Sequence, residues 1–250
     1  MTGSPLGAAL SRTVVARDHA LIAPEGHVAV ALHGWSGAVG ATLIAPAMGA
    51  RFSLSLARLE PGGRVGAAPP GVGRIVYLLD GAVRLTVAGV ARDLAAGGYA
   101  YLPADTAGEL VASAHSRLCL IEKPYVALPG KPAPRLVVGS ERDVFPAPLP
   151  GSTGVMVREL LPADLSFDLA VNVMEYAPGA ALPFVESHVM EHGLVMLEGS
   201  MVYRLGSSWY PVAEGDALWM APFCPQWCCA FGPGPARYLI YKDWNRDPLA

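Results

Sequence analysis

Charge is scarce in this chain and nowhere gathers into a block of one sign: 16% of the residues are charged, for a formal net charge of -3. A phosphate backbone needs a basic field to hold it, so nucleic acid is excluded as a partner. Long apolar runs are missing too. None approaches the roughly 20 residues that span a bilayer, and the N-terminal segment has no basic stretch followed by a hydrophobic one, so a cytoplasmic protein without a membrane partner is expected. Cysteine is sparse. Cys119, Cys224, Cys228 and Cys229 lack the spacing of a disulfide framework and are expected as reduced thiols. A zinc site on the last three is disfavoured, because adjacent Cys228 and Cys229 would point to opposite faces of a strand.

What is present is apolar and punctuated. Hydrophobic residues make up 52% of the chain, enough for a sizeable core, and 28 glycines and 23 prolines are scattered between short runs of Val, Ile, Leu and Tyr. That is the pattern of many short strands joined by turns. The chain also repeats itself. Leu59-Glu-Pro-Gly-Gly63, Val76-Tyr-Leu-Leu-Asp-Gly81, Ala95-Ala-Gly-Gly98 and Tyr101-Leu-Pro103 find counterparts in Tyr176-Ala-Pro-Gly179, Leu194-Val-Met-Leu-Glu-Gly199, Val212-Ala-Glu-Gly-Asp216 and Met220-Ala-Pro222. Gly81 to Gly199 is an offset of 118, Gly98 to Gly215 of 117 and Pro103 to Pro222 of 119. The expectation is an all-β chain of two tandem jelly-roll barrels, residues 1–140 and 141–250, divided within a proline-rich connector near residue 140. Arg135 to Val138 is expected as a short strand, Pro162 to Leu165 as a short helix, and the first 50 residues as further strands of the barrels.

One segment carries chemistry. After Pro178-Gly179 comes Glu186-Ser-His188-Val-Met-Glu-His192-Gly. In a strand, residues two apart share a face, so Glu186, His188 and His192 would project together, with Glu191 turned to the surface or just behind the ligands. A carboxylate and two imidazoles inside a barrel are costly to desolvate, and a divalent cation compensates that cost. The competing reading is a polar strand end facing solvent.

The whole arrangement resembles the cupin superfamily. In its first motif two histidines spaced by one residue precede a glutamate and, beyond a six-residue gap, a glycine. Here Glu186 stands at the first histidine and His192 at the glutamate, while the gap to Gly199 is kept. That exchange, together with Phe167-Asp-Leu-Ala-Val-Asn-Val-Met174, Tyr203 and the tail Tyr238-Leu-Ile-Tyr-Lys242-Asp-Trp-Asn-Arg-Asp247, is similar to the bicupin (S)-ureidoglycine aminohydrolase family. The resemblance implies Gln226 as a fourth ligand, where the superfamily's second motif has a histidine. It also implies manganese in the C-terminal barrel, replacement of the substrate's amino group by water with release of ammonia, a role in ureide and purine degradation, and a homo-oligomer. Two imidazoles, a carboxylate and an amide oxygen form a hard donor set that suits manganese or iron, with nickel or zinc as further options.

Tyr238, Ile240 and Lys242 share a strand face, so a Tyr238 that points into the barrel brings the Lys242 ammonium with it. There Lys242 would meet a substrate carboxylate or take part in proton transfer, with Tyr238 beside it, unless it reaches solvent at the strand end. Met174 and Tyr203 would line the same substrate pocket or serve as ordinary core. In the first half the offset of 118 puts Ala68, Pro70 and Arg74 at the ligand positions, so that barrel is expected to hold no metal. His19, His27, His33 and His115 lie outside any matching motif. Two further functions fit the same ligands: a dioxygenase or isomerase on Fe(II), and a small-molecule-binding bicupin whose metal is structural.

Overall fold

The structure, a computed structural model, describes residues 11–243. Strands dominate it; the helical elements among these residues are three short 3-10 turns, at Pro24–Gly26, Pro46–Met48 and Glu141–Asp143. No helix is long and apolar enough to cross a membrane. Nine antiparallel strands drawn from residues 36–140 form one sheet, in which the long strand Ser53–Val65 pairs with Ser116–Pro124 and Ser36–Ile44 and, at its far end, with Gly108–Ala112. That bend folds the sheet around an interior of Leu59, Val76, Leu78, Val83, Leu85 and Leu118.

The second half folds as an eight-stranded sheet opposed by the three strands Ser200–Leu205, Ser208–Ala213 and Gln226–Ala230. Met201, Tyr203 and Leu205 alternate with less buried neighbours, as a strand with one solvated face should. Ala217–Met220 and the first five residues of His192–Glu198 are instead buried throughout. One of their faces lines the second barrel; the other packs against the first through Phe52, Ile75, Tyr101, Val171, Trp219 and Tyr241. The core therefore has three parts, one inside each barrel and one between them.

The repeat is visible in the backbone. Gly81 and Gly199 both adopt positive φ, 86° and 73°, and a Cβ on either would lie 2.3 Å from a backbone carbonyl, of His115 and Pro235 respectively. Gly215 corresponds to Gly97 and not to Gly98. Gly97 and Gly215 share positive φ, and their N–H groups bond Leu78 and Met196, which keeps the offset at 118.

Three expectations need adjustment. The strand foreseen at 135–138 runs Val137–Ser140 and pairs with Gly98–Leu102. No helix forms at 162–165, because Asp164 Oδ1 accepts the Ser166 N–H and its carbonyl accepts that of Phe167, bonds that close a turn in place of a helical one. The N-terminal strands divide between the sheets: Ser36–Ile44 joins the first, whereas Val14–Val15 and His19–Ile22 extend the second-half sheet along Ala217–Met220. Arg12 clamps this loan with two 2.8 Å bonds to Asp216, whose side chain is 0% exposed. Residues 1–10 lie outside the described residues.

Candidate active site

A cavity of about 300 Å³ opens at one end of the second barrel, and Glu186, His188, His192 and Lys242 all line it. The strands stack its walls in rows. The outermost runs Ala170, Lys242, His192, Met220, His19 across five adjacent strands; the next contains Asn172, Ile240, Leu194 and Leu218; the third contains Met174, Tyr238 and Met196.

His192 opens its strand, whereas Glu186 and His188 do not sit on the strand the spacing suggested. The chain from 183 to 191 is irregular. It is tied down at Glu186, which exchanges backbone hydrogen bonds of 2.8 and 2.9 Å with Gln226. That bridge, and not strand parity, places the two side by side. His188 Nε2 lies 3.0 Å from Gln226 Nε2 and 3.7 Å from Glu186 Oε2, and the His188 and His192 rings are 4.8 Å apart.

Burial pushes the His192 imidazole well below its ordinary pKa, with the nearby Lys242 and His188 adding to the effect. Its Nδ1 lies 2.9 Å from the Glu191 carbonyl; donation there leaves Nε2 free as an electron-pair donor. Burial also lowers the Lys242 ammonium, partly offset by Glu186 and Glu159. Glu191 is not at the surface: it is 0% exposed and accepts from the Arg51 backbone N–H and guanidinium and from Trp219 Nε1 at 2.8 Å. A first-half loop thus grips the residue that orients His192.

No family model matches the chain. Curated relatives do over nearly all of it, among them the probable (S)-ureidoglycine aminohydrolase of Oryza sativa subsp. japonica, 42% identical over 96% of this chain and 77% of the relative, and the (S)-ureidoglycine aminohydrolase of Arabidopsis thaliana, 40% identical over 96% and 80%. The chain belongs to the (S)-ureidoglycine aminohydrolase family. Among solved structures, protein Ylba from E. coli superposes with a TM-score of 0.84 at 30% identity, covering 94% of this chain and 95% of that one. Bacillus subtilis oxalate decarboxylase matches at 0.70 with 12% identity over 90% and 77%, which speaks for the fold alone. The architecture is a bicupin, as the sequence pattern suggested.

In this member of the ureidoglycine aminohydrolase family the donor set fits a divalent cation. His188 Nδ1 is buried without a hydrogen-bond partner, Gln226 is buried against His188, and His192 offers an unengaged Nε2. Their atoms are not drawn tightly together, however. Among the described residues, the group of three His, Cys, Asp or Glu donor atoms lying within 4.8 Å of one another is Asp18, His19 and Cys224. There both His19 nitrogens already meet partners, Asp18 at 2.9 Å and Tyr210 at 2.8 Å, and burial pushes the Cys224 thiol up to about 11. That group reads as a clasp on the borrowed N-terminal strand.

Of the other residues singled out by sequence, Lys242 faces the cavity. Met174, Tyr203 and Tyr238 are fully enclosed in the barrel core, and Tyr238 bonds Tyr176 hydroxyl to hydroxyl at 2.8 Å. Burial holds the Tyr203 and Tyr238 phenols well above the usual tyrosine range, so both stay protonated. Sequence reasoning missed Asn172, Glu159 and the segment Leu161 to Ala163, all of which line the cavity. Asn172 carried a signal, an amide two residues before Met174 on the same strand face; Glu159 carried none.

The first barrel has a counterpart cavity bordered by Ala68, Pro70 and Arg74. Arg74 pairs across the sheet with Glu122 as His192 pairs with Lys242. Its guanidinium donates to Glu122 at 2.6 and 2.9 Å and to the Gly66 carbonyl at 2.6 Å. A fixed organic cation and its carboxylate fill the places that His192 and Lys242 hold in the second barrel.

Proposed function

We propose that this chain hydrolyses (S)-ureidoglycine to (S)-ureidoglycolate and ammonia in ureide breakdown, using a divalent metal, manganese, held by Glu186, His188, His192 and Gln226. The observation that carries the reading is one cavity lined by the two imidazoles, the Glu186 carboxylate and the half-buried Lys242 in a chain of this family. A related fold is known with manganese, since one solved structure concerns the Mn(II) centres of Bacillus subtilis oxalate decarboxylase. In the reaction the bond from the α-carbon to the amino nitrogen breaks, a bond to a water oxygen forms, and the nitrogen leaves as ammonia with a proton from that water. A bound cation supplies Lewis acidity at this step.

The chain's own groups do the orienting. Lys242, whose ammonium lies in the outermost row beside His192, holds the substrate carboxylate; its lowered pKa also lets it pass a proton to the leaving amine. Tyr238, Tyr203 and Met174 shape the layer beneath. Residues 1–140 act as a metal-free scaffold and 141–250 as the catalytic unit, with self-association of the whole as part of the same proposal.

The test is ammonia release from freshly generated ureidoglycine. It should be metal-dependent and fall at least a hundredfold in a His188→Ala, His192→Ala double variant. Undiminished turnover in that variant would remove the metal role, and absence of ammonia from the metal-loaded wild type would remove the reaction.

A further inference from the structure

We infer that Asn172 is a specificity-determining residue that reads the ureido group of the substrate, an inference that rests on the reaction proposed above. On the strand Ala170–Tyr176, Val171 and Val173 face the layer between the barrels, while Met174 and Tyr176 face the interior of the second barrel. Asn172 shares the inward parity. It is 7% exposed, and what remains open lies in the wall of the cavity. Its side chain makes no hydrogen bond to another described residue.

A carboxamide so nearly enclosed, with no protein partner, leaves its polar atoms only the contact that the cavity allows. Buried amides are almost always paired, so an unpaired one opening on a cavity points to a ligand that supplies the missing bonds. The chemistry of that ligand follows from the amide. It presents a carbonyl acceptor and an N–H donor in one plane, and the group that answers both at once has a carbonyl and an N–H on the same edge, as the terminal end of a ureido group or a primary carboxamide does and a trans secondary amide does not. A carboxylate would satisfy only its donors.

Lys242, by contrast, offers donors alone and suits the carboxylate. The two residues are diagonal neighbours on one face, since Ala170 pairs with Lys242 and Asn172 with Ile240. Diagonal positions stand ~7–8 Å apart, a gap that one molecule carrying a carboxylate at one end and a ureido group at the other can bridge. The third substituent of the α-carbon, the amine that leaves, is then directed to the Glu186, His188 and His192 side. The structure thus assigns the three groups on the reacting carbon to three places: Lys242, Asn172 and the metal ligands.

Two stable ligands that lack the leaving amine isolate the contact. N-carbamoylglycine carries the ureido group and N-acetylglycine replaces its terminal amine with a methyl group; both keep the carboxylate. Binding to the metal-loaded protein is measured calorimetrically for the wild type, Asn172→Ala and Lys242→Met, with the near-isosteric Asn172→Leu standing in should the alanine protein unfold. The wild type should prefer N-carbamoylglycine, and loss of the amide should erase about a tenfold preference while changing N-acetylglycine affinity little. Lys242→Met should weaken both ligands alike. An unchanged preference in Asn172→Ala, or an equal loss for both ligands, overturns the inference while leaving ammonia release from ureidoglycine intact. Failure of both ligands to bind a wild type that also releases no ammonia overturns the inference and the reaction together.

Discussion

Glu191 shows how a single side chain can be misjudged from its neighbours in the chain. Next to His192 and opposite in parity, it belongs on the far face of the sheet, and a far face usually means solvent. Here that face is covered by the other barrel, so the carboxylate is buried, and burial raises its pKa against the pull of Arg51 and Trp219. The cysteines obey the same logic. Burial pushes Cys119 and Cys228 up to about 12 and Cys224 up to about 11, whereas Cys229 is only half-buried. Since the thiolate is the nucleophile, three of the four thiols should be inert near pH 8. Labelling the native protein with an alkylating reagent at that pH should modify Cys229 alone, and rapid labelling of Cys228 would contradict the packing described.

The N-terminal strand His19–Ile22 is the element that crosses from one half to the other. Its own residues form an apolar run with no sign of which sheet it extends. Pairing with Ala217–Met220 is secured by Arg12 on the buried Asp216 carboxylate, which also accepts the Ala213 N–H. Removing the guanidinium leaves a carboxylate with one hydrogen bond instead of three. Arg12 is itself partly exposed, so screening reduces the loss to about 1–3 kcal/mol. Arg12→Ala should therefore lower the denaturant midpoint by that amount with little change in slope, and an unaltered midpoint would show that the clamp contributes nothing. The segment from 183 to 191 teaches the complementary lesson. Its spacing matched a strand, yet the chain there is irregular and Glu186 is set beside Gln226 by a two-bond backbone bridge.

At the scale of the molecule, the first barrel buttresses the second. Its Arg51 loop grips Glu191 and Asp243 beside the site, and its outer face seals the sheet that carries His192. Several large apolar side chains stay exposed, among them Phe145, Phe184, Trp209, Phe223 and Phe231. Phe184 and Phe223 flank the cavity segment: Phe184 lies two residues before Glu186, and the Phe223 N–H bonds the His188 carbonyl. Side chains of this size on the surface are available to the self-association proposed above. Sedimentation equilibrium should give a mass above that of one chain, and a monomer at tens of micromolar would remove self-association from the proposal.

Much of this protein was legible in one dimension. Period-two alternation and the doubled Pro-Gly and Leu-x-Gly signals are short-range properties that announce an all-β bicupin, and the local spacing of Glu186, His188 and His192 marks a segment that lines the cavity. Alternation states which way a side chain faces but not what stands opposite. The loan of His19–Ile22 to the distant sheet, the burial of Glu191, the Arg74–Glu122 pair and the unpartnered amide of Asn172 depend on contacts between residues far apart in the chain, and those exist only once the sheets have closed and packed.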